Sequence, residues 1–151
     1  MMSRVGAIRI PSFSGERMRA AREGLNWSQG RLAAEMDIRV ATISTWERGI
    51  RTPEPPTFLA IAQALKVKPA DLLTIPVERW GLPELRVVSA GLHQGQVARM
   101  LGLHQIRIGN VELGYERPSD ELTVALAKIY GTTAQEILEA WHNGRERLME
   151  Q

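Results

Sequence analysis

Apolar residues recur along this chain three and four positions apart, the period of short helices that bury one face. Met18, Ala21 and Arg22 share a face over 16–24, with Gly24 as the stop. Leu32, Ala33 and Met36 mark a second helix over 29–36, which Ser28 is placed to N-cap. Asp37, Ile38 and Arg39 then make a short turn. A third helix over about 40–48 carries Ile43, Trp46 and Glu47 on its inner side, and Gly49 ends it. Three prolines make 50–56 a loop. A fourth helix over about 57–66 and a short fifth follow. Pro69 suits the first position of that fifth helix and Asp71 its first turn.

The pattern then repeats. Residues 29–73 and 94–138 align without a gap at an offset of 65. Gln29/Gln94, Gly30/Gly95, Ala33/Ala98, Ile43/Ile108, Glu47/Glu112, Gly49/Gly114 and Pro53/Pro118 are identical, and most other apolar positions exchange like for like. The second copy predicts helices over about 83–90, 94–101, 104–113, 119–130 and from 133 onward. Ser119 caps the fourth, and Thr133 with Glu136 makes a capping box for the fifth. That last helix reaches beyond Trp141, with Gly144 a point of interruption. The expected architecture is all-α, two tandem five-helix domains. It divides into an arm at 1–13, a first domain at 14–75, a linker at 76–82 and a second domain at 83–151. The linker holds Pro76 and Trp80, so it is stiff, and Trp80 is placed to dock on a domain.

Composition narrows the function. An apolar content of 44% across 151 residues argues against disorder. The absence of cysteine removes disulfides and thiolate metal sites. No apolar stretch is long enough to span a membrane and no signal-peptide core opens the chain, so a cytoplasmic location is expected. His93, His104 and His142 lack metal-ligand spacing, and no nucleophile elbow or phosphate-cradling glycine loop is present. The chain therefore reads as a non-enzyme without cofactor or metal. Charge is unevenly shared. Residues 1–75 carry 11 basic and 7 acidic side chains, residues 76–151 carry 8 and 10. The first copy has the better electrostatic case for a polyanion.

The string Gln29, Leu32-Ala33, a three-residue turn, Ile43, Trp46-Glu47-Arg48-Gly49, then Pro53 and Leu72-Leu73, resembles the phage-repressor/Cro-type (lambda-repressor-like) helix-turn-helix family. The resemblance covers nearly all of the first copy and, more weakly, the second. Such a motif needs a left-handed residue in its turn, which Gly102 supplies in copy two and Asp37 in copy one. The resemblance implies a buried pair between Arg22 and Glu47 that holds the fold and does not touch bases. In copy two Ser89 stands where the arginine is expected, counting from the helix-ending glycines. Glu112 must then find Arg86 or lie nearer solvent, because an unpaired buried carboxylate is costly. By the same count copy two has two fewer residues between its first two helices.

Duplex DNA is the partner this resemblance implies. Gln29 would grip a phosphate from a helix N-terminus. Arg39, Val40, Ala41, Thr42, Ser44, Thr45 and Arg48 form the start and outer side of helix three. Either arginine suits guanine, and Thr42 and Thr45 suit a thymine methyl or a hydrogen-bonding edge. Arg51 suits a phosphate. In copy two the matching readers are Gln94, Gln105, Arg107 and Asn110, with Arg117 toward a phosphate. There Leu113 and Glu116 replace Arg48 and Arg51, which weakens the electrostatics. Arg4 and Arg9 in the arm suit a minor groove. Ile137, Leu138, Trp141, Leu148 and Met149 form an apolar stripe, open to two readings: a homodimer interface, or packing of the last helix on its own domain. The expected function is a sequence-specific DNA-binding transcriptional regulator, a repressor of bacterial or phage type. The alternative is a protein-interaction adaptor or antitoxin-like partner working through the second domain and C-terminal helix.

Overall fold

The structure, a computed structural model, describes Ile10 and residues 12–151. Arg4 and Arg9 lie outside the described residues. All regular elements among those described are helical, and the sole β-contact there is an isolated antiparallel bridge between Phe13 and Leu73. The chain divides into two compact units that meet at Pro76/Val77.

The first unit contains α1 (Gly15–Gly24), α2 (Gln29–Met36), α3 (Val40–Glu47), α4 (Pro55–Leu65) and a 3-10 turn (Pro69–Leu72). Ser14 and Ser28 cap α1 and α2 by accepting the backbone N–H of Arg17 and Arg31. Asp71 accepts the Lys68 N–H at the start of the 3-10 turn. Met18, Leu32, Ile43, Trp46, Phe58, Ile61, Leu65 and Leu72 fill the core. Two expectations need correction. The proline loop ends at Glu54, because Pro55 and Pro56 open α4, where the missing N–H groups would have had no helical partner anyway. Ile10, Ser12 and Phe13, assigned to the arm, belong to the unit. Ile10 and Ser12 are buried, Phe13 packs edge-on against Phe58, and the Ser12 carbonyl accepts the Thr74 N–H at 2.8 Å.

The second unit contains α5 (Leu82–Ala90), α6 (Gln94–Leu101), α7 (Gln105–Glu112), α8 (Asp120–Tyr130) and α9 (Ala134–Met149). Its core joins Leu82, Val97, Ile108, Val111, Leu122, Leu126, Tyr130, Ile137 and Trp141. Residues 77–79 form a 3-10 turn that is tied to α9. Asn143 Nδ2 donates to the carbonyls of Glu78 and Trp80, and Arg147 donates to the carbonyl of Arg79. All of the expected linker after Pro76 is thus part of this unit.

Helix α9 runs through Gly144 without a break. The glycine is there for close approach: a Cβ on it would lie 3.0 Å from the Glu112 carbonyl oxygen. Opposite it, Gly114 adopts φ +87°, and a Cβ there would come within 2.8 Å of the Arg145 Cα. Of the apolar stripe of α9, Ile137 and Trp141 are buried in the unit's own core, Leu138 and Leu148 are half-buried, and Met149 is 70% exposed. Gly114→Ala is expected to destabilise the second unit by about 1–3 kcal/mol, through backbone overpacking and a disfavoured φ. Denaturant unfolding of the full chain checks this.

Candidate nucleic-acid interface

Each unit builds the same buried polar knot beneath its third helix. In the first, Arg22 from α1 forks onto Glu47 at the end of α3, Nε to Oε2 at 2.7 Å and Nη2 to Oε1 at 2.9 Å. Its remaining Nη1 donates to the Trp27 carbonyl at 2.7 Å, and Gln29 Nε2 from α2 donates to Glu47 Oε1 at 3.0 Å. One ion pair therefore ties α1, the turn after it, α2 and α3. Burial pushes the Glu47 carboxyl up, but the hydrogen bonds from Arg22 and Gln29 and the Arg22 charge outweigh it, holding the group below its ordinary 4.5. The bond to Glu47 in turn holds the Arg22 guanidinium above its ordinary value.

The second unit repeats this with Arg86, which corrects the assignment of Ser89. Arg86 forks onto Glu112 at 2.7 and 3.1 Å and donates to the Leu92 carbonyl at 2.7 Å, and Gln94 Nε2 donates to Glu112 at 2.8 Å. Burial disfavours the Arg86 charge, yet the Glu112 charge and hydrogen bonds raise its pKa. Burial, and next the Glu112 charge, push the nearby Tyr130 phenol well above its ordinary range. The misalignment came from matching Gly24 with Gly91. Gly91 is the left-handed cap of α5, but in the first unit the left-handed residue is Asn26, two positions beyond Gly24. Counted from the arginines, the second unit has one residue more before its glutamine, because α5 continues further past Arg86 than α1 does past Arg22. The gap between helices differs by one residue, not two.

This knot fixes the pose of the helix-turn-helix. Asp37 closes α2 in the left-handed conformation at φ 55°, and Gly102 closes α6 at φ 67°. In the first unit Ile43, Trp46 and Glu47 face inward, which leaves Ala41, Ser44, Thr45 and Arg48 as the outward stripe. Arg39, Val40, Ala41, Arg48 and Arg51 are exposed, while Thr42, Ser44 and Thr45 are half-buried. Several of these groups already have partners. The Thr45 hydroxyl donates to the Ala41 carbonyl at 2.8 Å, and Arg48 Nε donates to Ser44 Oγ at 3.2 Å. Gln29 is half-buried and held by Glu47, so its amide sits at the helix N-terminus in a fixed orientation.

The second unit presents a different face from the same frame. Gln105 is exposed, and its amide lies beside Gly95, where a Cβ would meet Oε1 at 3.1 Å. Arg107 is ion-paired to Glu116, Nε to Oε2 at 3.0 Å. Asn110 is half-buried, and its backbone carbonyl accepts the N–H groups of Tyr115 and Glu116. The Arg117 guanidinium lies over the Trp141 ring, 5.5 Å from its centroid. Ile106, at the position of Ala41, is 73% exposed, and Met100, Leu113 and Tyr115 are exposed as well. Sequence reasoning passed over this apolar face, although the Ile106 signal stood in the recognition helix itself. The loop after α7 is also stitched to α9, with Arg145 donating to the Gly114 carbonyl and the Trp141 indole to the Glu116 carbonyl.

Among the described residues no group of three or more His, Asp or Glu side chains is arranged to hold a metal, and no helix is long and apolar enough to cross a membrane. A family profile described as helix-turn-helix matches residues 18–72 and again 84–137. No curated protein and no solved structure matches the chain.

Arg22→Ala leaves Glu47 buried without its partner and is expected to cost about 3–5 kcal/mol, with Arg86→Ala equally damaging to the second unit. Because the folded Glu47 value lies below the unfolded one, its contribution is present above about pH 4.5 and is lost as pH falls through the lowered value. Urea unfolding across pH 2–7 is expected to show this acid loss in the wild type and a flatter limb in Glu47→Gln.

Proposed function

The chain belongs to the helix-turn-helix family in two tandem copies, DNA-binding transcription regulators as a family, and from that premise we propose that it is a sequence-specific repressor. It reads the major groove with α3 of the first unit and acts by occluding promoter DNA. The observation that carries this reading is the outward face of α3, rimmed by exposed Arg39, Arg48 and Arg51 on a frame fixed from below by the Arg22–Glu47 pair. The arginines meet phosphates or guanine edges. Gln29 meets a phosphate at the N-terminus of α2, alongside free backbone N–H groups.

The second unit contributes less to DNA affinity in this reading. Its one cation on α7, Arg107, is engaged by Glu116, and Ile106 and Leu113, exposed at the positions of Ala41 and Arg48, carry no charge. Gln94, Gln105, Asn110 and Arg117 remain the groups through which it would touch a duplex. Two architectures follow. Both units read adjacent grooves along an asymmetric site, or the second unit pairs two chains so that two first units read a palindrome. The apolar face of the second unit also favours the second reading of the chain, a partner-binding adaptor, in which that face serves a protein.

Selection of binding sites from a random duplex library by the full-length protein tests the proposal. An enriched motif is expected, palindromic for a pair of chains and asymmetric for a single one. Folded protein that enriches nothing at moderate salt sinks the repressor reading in favour of the adaptor. Arg39→Ala is expected to weaken binding to the selected site by about 1–3 kcal/mol if the arginine reads a base. Unchanged affinity and preference would remove it from the reading set.

A further inference from the structure

In the second unit the outward side of α7 carries a stripe that the unit's own core does not use. Ile108, Val111 and Glu112 are buried, so helical periodicity turns Ile106, Asn110 and the helical C-cap Leu113 to the opposite side. Ile106 is 73% exposed and Leu113 55%. The same positions of the first unit hold Ala41, Thr45 and Arg48. The stripe is thus apolar at both ends with one amide between. The Asn110 side chain has no hydrogen-bonding partner among the described residues.

This stripe is complementary to itself. A two-fold axis sets each charge against its own copy, so a self-pairing face must be close to neutral. Arg107, the cation on α7, is closed by Glu116 at 3.0 Å. Ile106 and Leu113 are equally distant in sequence from a point between Gly109 and Asn110. A second α7 laid antiparallel therefore sets each isoleucine on a leucine and brings the two Asn110 amides together. A primary amide both donates and accepts, so two of them across an axis satisfy each other. Gly109 adds no side chain to hold the helices apart. A Cβ there would meet only Gln94, at an ordinary 3.7 Å, so the unit's own packing does not demand the glycine. The antiparallel sense also opposes the helix dipoles. It carries exposed Arg99, which borders Gly95 together with Gln105 at the start of one α7, toward Glu116 at the close of the other. A parallel pair would set like charge on like. A polyanion gains no charge contact from Leu113 where α3 offers Arg48.

We propose that Ile106, Asn110 and Leu113 form the interface of a homodimer, with two α7 helices antiparallel across a two-fold axis near Asn110. The helix that resembles a DNA reader in the second unit thereby reads its own copy. The proposal goes beyond the DNA-binding reading and does not depend on it. It withdraws Asn110 from the groups facing a duplex and selects the paired architecture.

The test measures self-association of the full-length protein without DNA, by sedimentation velocity across the micromolar range. A concentration-dependent dimer is expected. Ile106→Lys and Leu113→Glu, both at exposed positions, are each expected to weaken it at least about tenfold, with helix content unchanged by circular dichroism. Mixing the two variants is expected to restore the dimer, because the antiparallel pair sets the new lysine against the new glutamate and leaves one native contact intact. The chain has no cysteine, so Asn110→Cys places a single thiol at the axis. Mild oxidation is expected to give a covalent dimer, and the same change at exposed Ser89 to give none. If either charged variant loses helix content, the oxidised Asn110→Cys chain decides. A monomer throughout, a dimer that neither substitution weakens, or no restoration on mixing would overturn the pairing. A chain that stays monomeric yet binds duplex DNA with salt sensitivity overturns this proposal alone and leaves the DNA-binding reading in place.

Discussion

One buried ion pair sets the geometry on which everything else in each unit depends. A guanidinium has five donors in a rigid fork, and a carboxylate accepts from several directions. Arg22 and Arg86 use that capacity to bind three partners each: both oxygens of a glutamate on the third helix and one carbonyl in the turn before the second. The glutamate then takes an amide from the start of the second helix. Hydrophobic packing alone leaves a short helix free to roll or slide by a fraction of a turn, since one leucine-sized contact is much like another. A bidentate pair at 2.7 Å does not tolerate that. The eight residues of α3 are thus held by chemistry at one end and by core packing along one side, and the outer face is left to vary.

That separation explains the contrast between the copies. Beneath the surface they are nearly interchangeable: the same pair, the same glutamine, the same left-handed turn position. Above it they have parted. Where the first unit shows Arg48 and Arg51, the second shows Leu113 and Glu116, and Glu116 closes on Arg107. The long α9 adds a further constraint that the first unit lacks. It fastens the loop after α7 through Arg145 and Trp141 and holds the backbone at Gly114 by sheer proximity.

Much of this was legible in the residues. The repeat, the serine caps at 28 and 119 and the inward set of α3 follow from helical periodicity and from hydroxyl groups that satisfy free N–H donors. The cap at Ser14 works in the same way and was not anticipated. Apart from the placing of Ile10, Ser12 and Phe13 in the arm, the errors share a source, the reading of proline and glycine as punctuation. Pro55 and Pro56 start a helix, Gly24 ends one without being its left-handed residue, and Gly144 sits inside one to admit a neighbouring carbonyl. Such roles depend on what lies opposite in space, which the local string does not contain. Arg86 was offered as one of two outcomes for Glu112 rather than as the counterpart of Arg22, because α5 runs two residues further past its arginine than α1 does and the gap after it is one residue shorter.

The bridge between Phe13 and Leu73 brings the two ends of the first unit together, and the Ser12 carbonyl holds Thr74 beside them. A unit whose chain arrives and departs at one point is a closed module. Copying it along a gene lengthens the protein without opening either core, and the join needs only a few residues. The doubled organisation of this chain is therefore an easy step in sequence space. Once it is taken, the outer face of either module can change without disturbing the core of the other.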